Sequence, residues 1–117
     1  MKSLLTVLIL CLSINVHAQS KNAYSIAEIS YLNKEAYQKD LWPKIQKLVS
    51  EAGAEIVVSG TQGEAISGIA KIPDKVTIIR FKNLQHAKSF YSSKGYQDIK
   101  PIADKTIKIR IYIVESQ

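Results

Sequence analysis

Six side chains stand at positions where two-residue periodicity would gather them on one surface: Tyr24, Glu28, Arg80, Lys108, Arg110 and Tyr112. One carboxylate, three cations and two phenols can hold an anionic or phenolic ligand. Arginine offers a carboxylate a planar two-pronged donor, and tyrosine supplies a hydroxyl on an apolar wall. The same residues also read as ion pairs. Glu28 and Arg80 fall on segments expected to be neighbouring strands, and a cross-strand salt bridge is the simpler account of both.

Other candidates are weaker. His86 has Ser89 three residues along one helix, but no third group orients it and no oxyanion hole is visible, so it reads as a solvent-facing helix histidine. Trp42 beside Pro43 suits a tryptophan packing a kinked helix. Gly60, Gly63 and Gly68 open no helix and carry no Gly-Lys-Ser or Gly-Lys-Thr element, which removes a phosphate loop. Glu64 and Asp74 lack the spacing of a calcium loop.

The elements that must position these groups follow from periodicity. AYSIAEISY over 23–31 predicts a first strand, with Asn33 as the cap of the helix that follows. Tyr37, Leu41, Ile45, Leu48, Val49 and Ala52 recur at helical spacing up to a stop at Gly53. Pro43 cannot donate to the Lys39 carbonyl, so a kink or split is expected near Trp42. EIVVSG over 55–60 and KVTIIRF over 75–81 predict a hairpin, its turn marked by the three glycines. Asn83 caps a second helix with a Leu84, Ala87, Phe90, Tyr91 stripe, and Gly95 is expected to end it. TIKIRIYIV over 106–114 is the last strand, giving the order βαββαβ. That order suits a ferredoxin-like α+β sandwich, four antiparallel strands with the helices on one face.

Parity then divides the sheet. Ile107, Ile109, Ile111 and Ile113 face the helices, which turns Lys108, Arg110 and Tyr112 the other way. An unpaired buried charge costs several kcal/mol on an order-of-magnitude scale, so Glu28, Glu55 and Arg80 should point away from the core as well. The second face then carries Tyr24, Ile26, Val57, Val76 and Ile78 among its charges, too apolar to be left in water. A second copy of the chain, sheet against sheet in a homodimer, is the expected cover.

The residues Tyr24-Ser-Ile-Ala-Glu-Ile29, Glu35-Ala-Tyr37, Ala52-Gly53, Val58-Ser-Gly60, Arg80-Phe81, and the run from Ala87 through SFYSSKGYQDIKP resemble the domain of unknown function 1330 family over residues 23–115. The resemblance implies the dimeric α/β-barrel superfamily, whose protomers are ferredoxin-like and pair through their sheets. That superfamily includes cofactor-free monooxygenases, lactone isomerases and haem enzymes. Ala103, Arg80, Ser59 and Thr61 depart from residues common in the family, so charge-based chemistry at those positions does not carry over. Fold transfers here and activity does not.

The 117 residues fit a single domain. Lys2, the apolar run Leu4–Leu12 and Val16-His17-Ala18 predict a secretory signal peptide over residues 1–18, too short to span a membrane. Cys11 follows bulky Leu10 and reads as apolar filler rather than a lipidation site. Residues 19–117 form the domain, without cysteine and with His86 as its sole histidine. No metal site and no cofactor are expected. The charge of +6 is spread along the chain rather than striped, which argues against nucleic-acid binding. The expectation is an exported homodimer, periplasmic or secreted, without stable membrane insertion, that binds a small molecule. A cofactor-independent monooxygenase- or isomerase-like enzyme is the alternative.

Overall fold

The computed structural model describes residues 21–117, so the expected signal peptide lies outside the described residues. The elements are β1 (Ala23–Tyr31), α1 (Lys34–Ala36), a π-helical turn (Tyr37–Leu41), α2 (Trp42–Glu51), β2 (Glu55–Thr61), β3 (Lys75–Phe81), α3 (Leu84–Ser92), α4 (Lys94–Thr106) and β4 (Ile107–Glu115). The strands form one antiparallel sheet in the order β2-β3-β1-β4. This is the ferredoxin-like α+β arrangement.

Each helix start is written locally. Asn33 accepts from the Ala36 amide at 3.0 Å, Asn83 from the His86 amide at 2.8 Å, and Ser93 from the Tyr96 amide at 3.2 Å. These side chains satisfy amides that the first helical turn leaves orphaned. The disturbance expected around Pro43 takes the form of a π turn. The Trp42 amide reaches back to the Tyr37 carbonyl, and Pro43 opens a regular α-helix one residue later. Gly53, at φ +71°, closes α2 through its bond to the Ser50 carbonyl.

The segment SFYSSKGYQDIKP departs from expectation. Gly95 does not end a helix but lies inside α4, and Ser93 serves both as the end of α3 and as the cap of α4. Glycine gives Leu48 room there: a Cβ would come within 2.6 Å of Leu48 Cδ2, so that side chain would have to shift. That close approach packs α4 onto α2. Pro101 also lies within α4, whose last turn is held by the Thr106 hydroxyl donating to the Ile102 carbonyl at 2.8 Å.

Burial alternates from Ala23 to Ser30 in β1 and throughout β3. Ala23, Ile79 and Phe81 pack with Val49, Ala87 and Phe90, while Ala27, Ile29 and Ile107 pack with Tyr37, Leu41 and Ile99. Ile45, Leu48 and Tyr96 touch both groups and join them into one core. Burying each large apolar side chain contributes roughly 1.5–3 kcal/mol, which orients the sheet against its helices.

Candidate functional site

The six expected residues share the sheet face turned away from the helices. Their pairing differs from expectation. In the register, Glu28 lies opposite Val76 on one side and Arg110 on the other, while Arg80 lies opposite Tyr24 and Glu55. Arg80 therefore forms its ion pair with Glu55, and the Glu28–Arg80 bridge does not form. The six divide into two groups. Tyr24 and Arg80 lie toward one end, and Tyr24 stands four residues from Glu28 along β1, about 13 Å at the usual strand rise.

Glu28, Lys108, Arg110 and Tyr112 form the second group. The Arg110 Nε lies 3.7 Å from Glu28 Oε1, and the Tyr112 hydroxyl donates to Glu28 Oε2 at 3.3 Å. The Arg110 guanidinium also sits 5.0 Å from the centre of the Tyr112 ring. Both polar contacts are long, and the Arg110 side chain is 72% exposed, so the pair is a loose surface contact rather than a locked bridge.

Beside it lies an open groove of about 300 Å³, lined by Glu28, Ser30, Lys71, Lys108 and Arg110 together with the apolar Ile72, Pro73 and Ile109. Lys71 and Ser30 were not foreseen. Lys71 comes from the long β2–β3 loop, whose path no periodicity records. Ser30 shares Glu28's parity, and it became relevant only once the loop was seen to close over that end of β1. The groove holds three cations against one carboxylate, and among the described residues neither Lys71 nor Lys108 has an acidic partner within salt-bridge distance. It is suited chemically to an anion of modest size.

Apart from the Arg80–Glu55 ion pair, the rest of this face is largely apolar. Val58, Tyr112 and Val114 are exposed, and Tyr24, Ile26, Val76 and Ile78 half-buried. Val57 was expected here by simple alternation. A register shift between Ile56 and Val58 makes Val57 the bulged residue and sets Val58 opposite Ile78.

The helix-covered face corrects the rule that strand charges avoid it. Lys75 is 6% exposed on that face. Its amine donates to the Tyr37 hydroxyl at 3.0 Å and lies 3.3 Å from the centre of the Trp42 ring. A cation over an indole is stabilised by the ring quadrupole, which offsets part of the lost hydration. Burial still lowers the Lys75 pKa below the usual lysine range and raises that of Tyr37, to which Tyr31 adds. Trp42 thus closes the cage over the lysine as well as stacking on Tyr37. Lys75 shares the parity of Thr77, Ile79 and Phe81, and that was the signal for its position.

His86 is half-buried rather than solvent-facing. Its Nδ1 accepts from the Lys82 amide at 3.1 Å, and its Nε2 lies 2.7 Å from the Ala52 carbonyl. Both ring nitrogens are spent tying the start of α3 to the end of α2. Nδ1 accepting places the proton on Nε2. Among the described residues, no three of His, Cys, Asp and Glu cluster as metal ligands would, and no helix is long and apolar enough to cross a membrane.

The chain belongs to the domain of unknown function 1330 family, whose profile matches residues 22–117. No curated protein matches the sequence significantly. Among solved structures, a protein of unknown function from Rhodopseudomonas palustris aligns with TM-score 0.70 at 11% identity, over 94% of this chain and 92% of that one. A dimeric protein of unknown function and ferredoxin-like fold from Bacteroides fragilis gives TM-score 0.58 at 12% identity, over 85% and 100%. SnoaB, a cofactor-independent oxygenase from Streptomyces nogalater, gives 0.57 at 6% identity, over 84% and 95%. At these identities the likeness is one of fold.

Proposed function

We propose that the chain acts as an exported homodimer that binds a small organic anion in the groove of Glu28, Lys71, Lys108 and Arg110. The observation that carries the reading is three cations around one loosely held carboxylate, in a groove of about 300 Å³ on a sheet face whose remaining exposed residues are largely apolar. A second copy packed on that face would remove Ile26, Val58, Ile78 and Val114 from water and wall the groove on its open side. The fold-level likeness to a dimeric ferredoxin-like protein supports the pairing, and the leader pattern over residues 1–18 supports export.

Benzoate is a suitable probe, because it combines a carboxylate with a small apolar ring. Calorimetric titration of residues 19–117 should give saturable binding. Arg110→Ala should weaken it about tenfold or more, the scale of one charge-assisted hydrogen bond. Unchanged affinity in that variant removes Arg110 from the site, and no binding to the parent chain removes the groove. Native mass spectrometry of the freshly purified protein would identify any anion that travels with it.

A cofactor-independent enzyme is the second reading. One observation favours it: an aromatic-walled cavity on the helix side of the sheet.

A further inference from the structure

The strand register sorts the polar groups of the open-face groove into two rows. Glu28 lies opposite Arg110, and two residues farther along β1, on the same face, Ser30 lies opposite Lys108. The rows stand about 7 Å apart at the usual strand rise. Lys71 joins them from the β2–β3 loop, with Ile72 and Pro73 as apolar wall.

The two ends of the groove differ in what they offer. Toward Lys108 they are donors: two amines and the Ser30 hydroxyl. Toward Glu28 there is an acceptor with capacity to spare. The Tyr112 hydroxyl donates to Oε2 at 3.3 Å, while Arg110 Nε stays 3.7 Å from Oε1, too far for a hydrogen bond. A carboxylate has about four acceptor sites, and the Glu28 side chain is 33% exposed, so a ligand can reach those left over. In a groove for anions this carboxylate would otherwise only repel. A hydroxyl on the ligand turns it into a contact, because an O–H donating to a carboxylate makes a charge-assisted hydrogen bond, stronger than a neutral one.

We propose that the ligand of the groove is a hydroxylated carboxylate: its carboxylate lies between Lys71 and Lys108, and its hydroxyl, about 7 Å away, donates to Glu28. The inference rests on the anion-binding reading above and narrows it to one substrate class. The body between the two ends packs against Ile72 and Pro73. Arg110, 72% exposed, is free to turn its guanidinium fork to the carboxylate end.

The test compares three probes by calorimetric titration. 4-Hydroxybenzoate spans the distance between the rows, 2-hydroxybenzoate has the same atoms with the hydroxyl beside the carboxylate and out of reach of Glu28, and benzoate has no hydroxyl. 4-Hydroxybenzoate should bind about tenfold more tightly than the other two, the scale of one hydrogen bond to a charged group. Glu28→Met keeps the length of the side chain and removes the acceptor, and it should bring the three affinities together. Glu28→Gln, a neutral acceptor, should leave an intermediate preference and serves if methionine is not tolerated. Benzoate binding with no gain for 4-hydroxybenzoate overturns this inference and leaves the anion-binding reading standing, as does a full preference that survives both substitutions. Absence of binding by all three probes overturns the two together.

Discussion

The two faces of one four-stranded sheet are built from alternate residues of the same strands, yet they obey different rules. On the helix side nearly every side chain is fixed by packing, and even Lys75 is held by an aromatic ring and a phenol. On the open side the charges pair loosely or not at all, and apolar residues are left partly in water. Stability therefore lives on the first face. The second has freedom to spend on recognition, because its contacts decide little about whether the chain folds.

The sharpest way to break this contrast is to truncate one large residue on the packed face. Phe81 is 1% exposed and touches Phe90, Tyr91 and His86. Phe81→Ala should cost about 3–5 kcal/mol in urea unfolding, the usual result of opening an aromatic-sized hole in a core. A loss below about 1 kcal/mol would mean that the two faces are not energetically distinct.

Alkaline pH probes the same face with a smaller effect. Burial raises the pKa values of Tyr37, Tyr91 and Tyr96, that of Tyr91 to about 12, partly offset by its bond with Ser25. The folded chain thus holds these protons above pH 10.0, where unfolded tyrosines release them. Their stabilisation is complete below pH 10 and is lost as pH rises toward 12. Lys75, with its lowered pKa, acts in the opposite sense, since stability regained from it accrues as pH rises toward 10.5. Unfolding free energy should hold or rise slightly up to about pH 10 and fall beyond it, and Tyr91→Phe should blunt that fall. A flat profile from pH 10 to 12 would contradict the assigned burial.

The smallest effect is expected at Arg80 on the open face. Its ion pair with Glu55 is substantially exposed and lies away from the groove. Arg80→Met should change stability by less than about 1 kcal/mol and leave benzoate affinity untouched. An affinity loss like that of Arg110→Ala would reunite the two charge groups that the register separates.

How much of this was legible in the sequence follows the same division. The bounds of β1 and β3 and the caps at Asn33 and Asn83 are local facts, and they appear as alternation and cap residues. Which face each candidate residue occupies was legible for the same reason. Which partner it meets was not. Register is set by pairing between strands far apart in the chain, so Glu28 could be assigned to Arg80 although Val76 and Arg110 are the residues opposite it. Gly95 misled because a glycine after a helical stripe has the same signature whether it frees the backbone or makes room for Leu48. Lys71 was out of reach, since a loop's path leaves no periodic trace. Lys75 was within reach, and was lost to a rule about charge that Trp42 and Tyr37 override.

The central claim is that the open face is a binding face covered by a second copy. Light scattering on residues 19–117 at micromolar concentration, beside Ile78→Glu, tests it most directly. Ile78 lies in the middle of that face and outside the helix-packed core. The account predicts twice the chain mass for the parent protein and a folded single-chain species for the variant. A parent protein that stays monomeric, or a variant that remains dimeric, would contradict it.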